Sequence, residues 1–114
     1  MAPEVKEPVS YDDFARLDLR IGEIRSCEAH PDADRLLVLQ VDLGEPELRQ
    51  IVAGIRAHFQ PQDLIGRQVV IVANLAPARL RGVWSRGMLL AATDETGLSL
   101  ITAQPSRTPG SGVR

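Results

Sequence analysis

Apolar residues along this chain recur at every second position in short runs, and turn-forming residues separate the runs. Leu17, Leu19 and Ile21 alternate with Asp18 and Arg20, the period of a half-buried strand. After Gly22 the apolar position moves to Ile24, and a glycine at such a shift predicts a bulge. Further strands are predicted over 36–43, 48–53, 69–73, 88–93 and 98–102. His30-Pro31-Asp32-Ala33-Asp34, Leu43-Gly44-Glu45-Pro46-Glu47 and Asp94-Glu95-Thr96-Gly97 have the composition of turns. Upstream, Ser10-Tyr11-Asp12-Asp13 has the form of a helix N-cap with an acid three residues on, and predicts a short helix carrying Phe14 and Leu17. Residues 1–9, with Pro3 and Pro8, form a loose lead-in. Residues 55–66 hold two short turns around Pro61 and Gly66, residues 74–86 a long loop, and residues 105–114 an extended tail.

Five or six short strands at regular spacing, with a helical insert, predict an all-β small barrel: one domain over 10–114. Periodicity alone does not separate an OB-fold from an SH3-like barrel. In an OB-fold the face of strands 2–3 and two flanking loops bind oligonucleotides. Here those loops are residues 29–36 and 74–86.

The chain has 114 residues, enough for one core. No apolar run approaches the roughly 20 residues of a membrane-crossing helix. No apolar stretch follows a basic start, so no signal peptide is expected and a cytoplasmic location is. The net charge of −2 counts against a strongly basic surface, but the charges are unevenly spread. Twelve of the acids lie before residue 48; between 51 and 90 only Asp63 stands against Arg56, Arg67, Arg79, Arg81 and Arg86. Lys6 is the single lysine. Arginine forks onto phosphate and stacks on bases, although a GC-rich genome gives the same bias.

Catalysis is not expected. Cys27 and His30 have the spacing of a metal pair, but a closed zinc site needs four ligands and only His58 is left to add. No phosphate-binding glycine loop is present. No metal or cofactor is expected, and Cys27 reads as a small buried hydrophobe.

Binding chemistry concentrates in 74–88. Asn74 and Ser85 are polar anchors, Arg79, Arg81 and Arg86 are cations, Trp84 is a stacking surface, and Gly82 and Gly87 allow close backbone approach. A solvated loop is the competing reading. In the 30–36 turn, Arg35 has the reach for a phosphate and His30 can stack or donate, unless Asp32 and Asp34 simply cap backbone amides. Arg49 and Gln50 point to opposite faces of a strand, so only one of them can face a ligand.

These residues resemble a known family: the tRNA-binding domain at the C-terminus of bacterial methionyl-tRNA synthetases. The domain also occurs near the N-terminus of the phenylalanyl-tRNA synthetase β chain, in an endothelial monocyte-activating polypeptide, and as standalone proteins. The matching segments are Tyr11-Asp12-Asp13-Phe14, residues 17–24, residues 30–36, residues 49–55, residues 64–67, Asn74-Leu75 and residues 79–92. The likeness runs from about residue 10 to the closing Val113-Arg114.

The resemblance implies an OB-fold with extra C-terminal strands that, with the N-terminal segment, make a homodimer. It implies binding to the shape of tRNA, at the elbow or outer corner, as a standalone protein or as the C-terminal module of a synthetase. Arg35 stands where the family has lysine or arginine, and Asn74, Arg79, Ser85 and Met88 fall on its RNA-contact positions. Three residues depart from the pattern. Arg86 replaces a glutamine or glutamate, Trp84 a smaller or acidic residue, and Ala53 a frequent serine. The first two make the loop more basic and more aromatic. The expectation is non-catalytic tRNA binding, with an aminoacyl-tRNA synthetase as a possible partner. A chaperone-like or synthetase-docking protein-binding module is the alternative.

Overall fold

The computed structural model describes residues 4–114, so the first three residues of the expected lead-in lie outside them. The expected helix is α1 (Tyr11–Ala15), where Ser10 Oγ accepts the Asp13 amide hydrogen at 3.2 Å. Leu17 lies beyond its end.

β1 (Leu19–Ala29) is longer than the alternating run that predicted it. It pairs antiparallel with β2 (Leu37–Asp42) and β4 (Gln68–Val72); β3 (Arg49–Ala53) pairs antiparallel with β2, and a 3-10 turn (Pro61–Asp63) precedes β4. The first half of β1 pairs with β4, from Leu19↔Val72 to Glu23↔Gln68. Its second half pairs with β2, from Glu23↔Asp42 to Ala29↔Leu37. One strand serving two neighbours in succession curls the sheet into a barrel.

The bulge in β1 lies between Ile24 and Ser26, not at Gly22. Gly22 is buried and regularly paired to Val69. A Cβ there would stand 2.5 Å from Val41 Cγ1 and 3.2 Å from Ile71 Cγ1. The core needs glycine at this point for space; the kink falls on exposed Arg25.

The expected loop over 74–86 contains a hairpin, β5 (Ala78–Leu80) and β6 (Val83–Ser85). Arg81 (φ 51°) and Gly82 (φ 89°) form its two-residue turn, the positive-φ pair that matches the twist of the flanking strands. The strand expected over 88–93 is two: β7 (Met88–Leu89) joins β4, and β8 (Ala91–Asp94) pairs with β9 (Gly97–Leu100). Leu90 separates them, its amide turned onto the Val70 carbonyl at 3.0 Å. The tail also departs from an extended run. β10 (Gly112–Val113) pairs with β1, and the Gly110 amide donates to the Ile21 carbonyl at 2.7 Å.

Ile24, Leu37, Leu39, Leu43, Ile51, Leu64 and Ile71 are wholly buried inside the barrel. Each contributes about 1.5–3 kcal/mol relative to exposure. The free edge of β3 closes against the segment after β6, where the Arg86 amide donates to the Gln50 carbonyl at 2.9 Å.

Candidate nucleic-acid interface

The β5–β6 hairpin stands over the closing seam and carries most of the chemistry singled out above. Arg79 and Trp84 are directly paired across it, so they share one face. Arg81 sits at its turn. Both arginines are exposed, and the Trp84 side chain is half-exposed.

His30 fixes the hairpin to the β1–β2 turn. It is 2% exposed, not free to stack as expected. Its Nδ1 accepts the Asp32 amide hydrogen at 2.9 Å, so Nε2 carries the proton and donates to the Leu80 carbonyl at 3.0 Å. Arg81 Nη2 adds a long bond to the Asp32 carbonyl, 3.3 Å. Exposed Arg35 lies in the same turn. The two loops expected to flank the binding face are thus one joined surface.

Three expected contact residues are engaged in shaping the site. Arg49 pairs with Glu45 at 2.8 Å and donates to the Ala73 and Arg86 carbonyls at 2.7 and 2.8 Å. Ser85 is 3% exposed; its hydroxyl serves Val52 and Gly87 across the seam. Asn74 accepts from the Asp18 amide at 2.8 Å and donates to the Arg16 carbonyl at 2.7 Å, fastening the end of α1 to the barrel. Gln50 donates to the Trp84 carbonyl at 2.7 Å and accepts from Gln40. Met88 stands at the start of β7, half-exposed, opposite Val72.

Among the described residues, Arg20, Arg25 and Arg49 form ion pairs, whereas Arg35, Arg79, Arg81 and Arg86 form none. Arg16, Arg56, Arg67, Arg107 and Arg114 form none either, but Arg35, Arg79, Arg81 and Arg86 are the ones that lie on the hairpin, just after it and in the β1–β2 turn. Beside the hairpin, a groove of about 960 Å³ runs to the 45–48 turn. Leu48, Leu75, Pro77 and Trp84 give it apolar walls, and Glu47 and Arg86 add charge. Leu75 and Pro77 fall inside the 74–88 segment without a role assigned to them there, and Leu48 was not singled out by the sequence.

The remaining chemistry is sparse. Burial pushes the Cys27 thiol up, away from the thiolate that a nucleophile or ligand needs. Among the described residues, no group of three or more His, Cys, Asp or Glu side chains is placed to hold a metal ion. No described helix is long and apolar enough to cross a membrane.

A model of the family described as "Putative tRNA binding domain" matches residues 19–112. The chain is 50% identical over 108 residues to the methionine–tRNA ligase of Thermococcus kodakarensis, covering 95% of this chain and 14% of the ligase. It is 51% identical over 107 residues to that of Deinococcus radiodurans, covering 93% of this chain and 16% of the ligase. The chain therefore spans about one-seventh of these relatives' length. Among solved structures, a MetRS-related protein from Pyrococcus horikoshii superimposes with a TM-score of 0.87 at 33% identity, covering 96% of this chain and all of that one. The chaperone CsaA of Bacillus anthracis gives 0.84 at 30% identity, covering 95% of this chain and all of that one.

Proposed function

The chain belongs to the tRNA-binding domain family, and we propose that it holds folded tRNA on the arginine-bearing hairpin and catalyses nothing itself. The observation that carries this is the hairpin's own surface: Arg79, Arg81 and Arg86, unpaired with any described carboxylate, around a half-exposed tryptophan. With Arg35 they supply cations for about four phosphates. Each phosphate neutralised adds roughly 0.7–0.9 to the slope of log affinity against log salt. Met88 adds an apolar contact at the margin. Arg49, Asn74 and Ser85 act one step back, by holding the backbone on which these groups stand.

The partner in the cell is tRNA, delivered to methionyl-tRNA synthetase chemistry either in cis, as a module of the synthetase, or in trans. The location that fits this work is the cytoplasm. We read the active form as a homodimer. α1 buries none of its residues, and Tyr11, Phe14 and Leu17 present apolar surface beside it. A docking role toward another protein would use that same apolar surface.

The test is the double variant Arg79→Ala, Arg81→Ala. It should weaken binding to tRNAs of any sequence and flatten the salt dependence. Unchanged affinity would place the site elsewhere.

A further inference from the structure

The groove between the hairpin and the 45–48 turn carries more than phosphate chemistry. Leu48, Leu75 and Trp84 are large apolar side chains left exposed, at 49%, 44% and 49%, and all three converge on it. Its volume of about 960 Å³ lies at the upper end of the usual range for ligand sites. Phosphate binding alone gives no reason for such walls.

We propose that this groove seats one unpaired base of the bound RNA, stacked on the Trp84 indole, with a preference for bases that carry an amino group on their pairing edge. The inference rests on the RNA-binding reading above and deepens it. Glu45 and Arg49 neutralise each other at 2.8 Å, which leaves Arg86 and Glu47 as the free charges of the groove. Arg86 takes the phosphate of the seated nucleotide. Glu47 is an acceptor without donors, so it favours the amino groups of adenine, cytosine and guanine over uracil, whose single pairing-edge donor, N3–H, stands between two carbonyl oxygens that repel a carboxylate. Arg49 spends its donors on the Glu45 carboxylate and the Ala73 and Arg86 carbonyls, and Gln50 is held by its bond to the Trp84 carbonyl, which leaves Glu47 as the group facing the base. Trp84 shares its hairpin face with Arg79, which puts a second phosphate-binding cation beside the stacking surface. Stacking of a base on an aromatic side chain is a strong, sequence-tolerant contact.

Trp84 is the only tryptophan, so its fluorescence reports this groove alone. The experiment titrates the whole protein with tRNA, oligo(A), oligo(U) and a blunt RNA duplex, following tryptophan emission and, separately, RNA anisotropy. Expected are quenching by tRNA and by oligo(A), weaker quenching by oligo(U), and duplex binding by anisotropy without quenching. Trp84→Ala should lower affinity for oligo(A) on the order of tenfold, a clearly larger loss than for the duplex. Glu47→Gln should narrow the difference between oligo(A) and oligo(U). Anisotropy showing tRNA binding with no change in emission, or Trp84→Ala binding oligo(A) as tightly as the parent, would overturn the base pocket while leaving tRNA binding intact. Quenching by an unstructured apolar peptide and by no RNA would overturn it in favour of a protein groove. No anisotropy change with any RNA at low salt would instead remove the RNA-binding reading on which it rests.

Discussion

The Ser85 hydroxyl accepts the Val52 amide hydrogen at 2.9 Å and donates to the Gly87 carbonyl at 3.0 Å. That pair of bonds joins the free edge of β3 to the strand that follows the hairpin, in a site only 3% exposed. Removing the hydroxyl leaves a buried amide without a partner, which costs about 1–3 kcal/mol. Ser85→Ala should therefore melt at a lower temperature while its folded molecules bind tRNA close to the parent affinity. Lost binding with an unchanged melting temperature would make Ser85 a direct RNA contact after all.

Gly22 bears on stability by a different route. The Cβ of Gly22→Ala would press on Val41 Cγ1 from 2.5 Å and on Leu43 Cδ2 from 3.0 Å. Overpacking of this kind typically costs about 1–3 kcal/mol. Chemical denaturation should show a lower midpoint. An unaffected midpoint would mean that β1 shifts to make room and that the close approach is not required.

His30, buried, ties the hairpin to the β1–β2 turn through its bonds to the Leu80 carbonyl and the Asp32 amide. His30→Ala should loosen the hairpin, seen as faster amide exchange over 78–85, and weaken tRNA binding with it. His30→Gln keeps a donor long enough to reach the Leu80 carbonyl and should recover most of both; His30→Asn keeps only the acceptor for Asp32 and should not. Equal behaviour of the two amides would show that the ring's bulk, rather than the bond to Leu80, sets the hairpin's place.

Acid should weaken the fold through specific carboxylates. The Gly44 amide, and then the Arg25 guanidinium at 2.8 Å, hold the Asp42 carboxyl below its ordinary range. A side-chain bond from Arg20 does the same at Asp18. Groups depressed in the folded state contribute stability that is fully present above the unfolded value and lost as pH falls through the folded one. Melting temperature should thus fall below about pH 4, the ordinary carboxylate range. Asp42→Asn keeps an acceptor for Gly44 but loses the pairing with Arg25. It should melt lower than the parent at neutral pH and fall less steeply in acid. A parallel pair of curves would show that Asp42 does not contribute to the acid response.

The parts of the fold that were legible from sequence are those with a strong local signal. β2, with Leu37, Leu39 and Val41 buried in alternation, and β4, with Val69 to Val72 buried throughout, fall where apolar residues placed them. α1 was legible because Ser10 and Asp13 announce its cap. The second half of β1 was not, because exposed Arg25 and Glu28 break the alternation. The β5–β6 hairpin escaped because its strands are three residues long and its turn puts a non-glycine, Arg81, at positive φ. β10 depends on a partner some ninety residues away in the chain, which no local pattern records. At the candidate site, residue type pointed to the hairpin's arginines and tryptophan but not to the hydrogen bonds made by their neighbours. Arg49, Asn74 and Ser85 sit among motif residues and carry groups suited to RNA, yet their hydrogen bonds go to the protein's own backbone. A motif selected for shape and one selected for contact look alike until the bonds are seen.

The free arginines of the hairpin and the adjoining turn are proposed to bind folded tRNA. Equilibrium binding of the whole protein to total tRNA, at several salt concentrations and with duplex and single-stranded RNA of equal length as competitors, tests that proposal most directly. Binding should weaken steeply with salt, at a slope of about 3 for four phosphates, and should favour folded tRNA over both competitors. Absence of binding at low salt, or affinity indifferent to salt, would contradict the proposal.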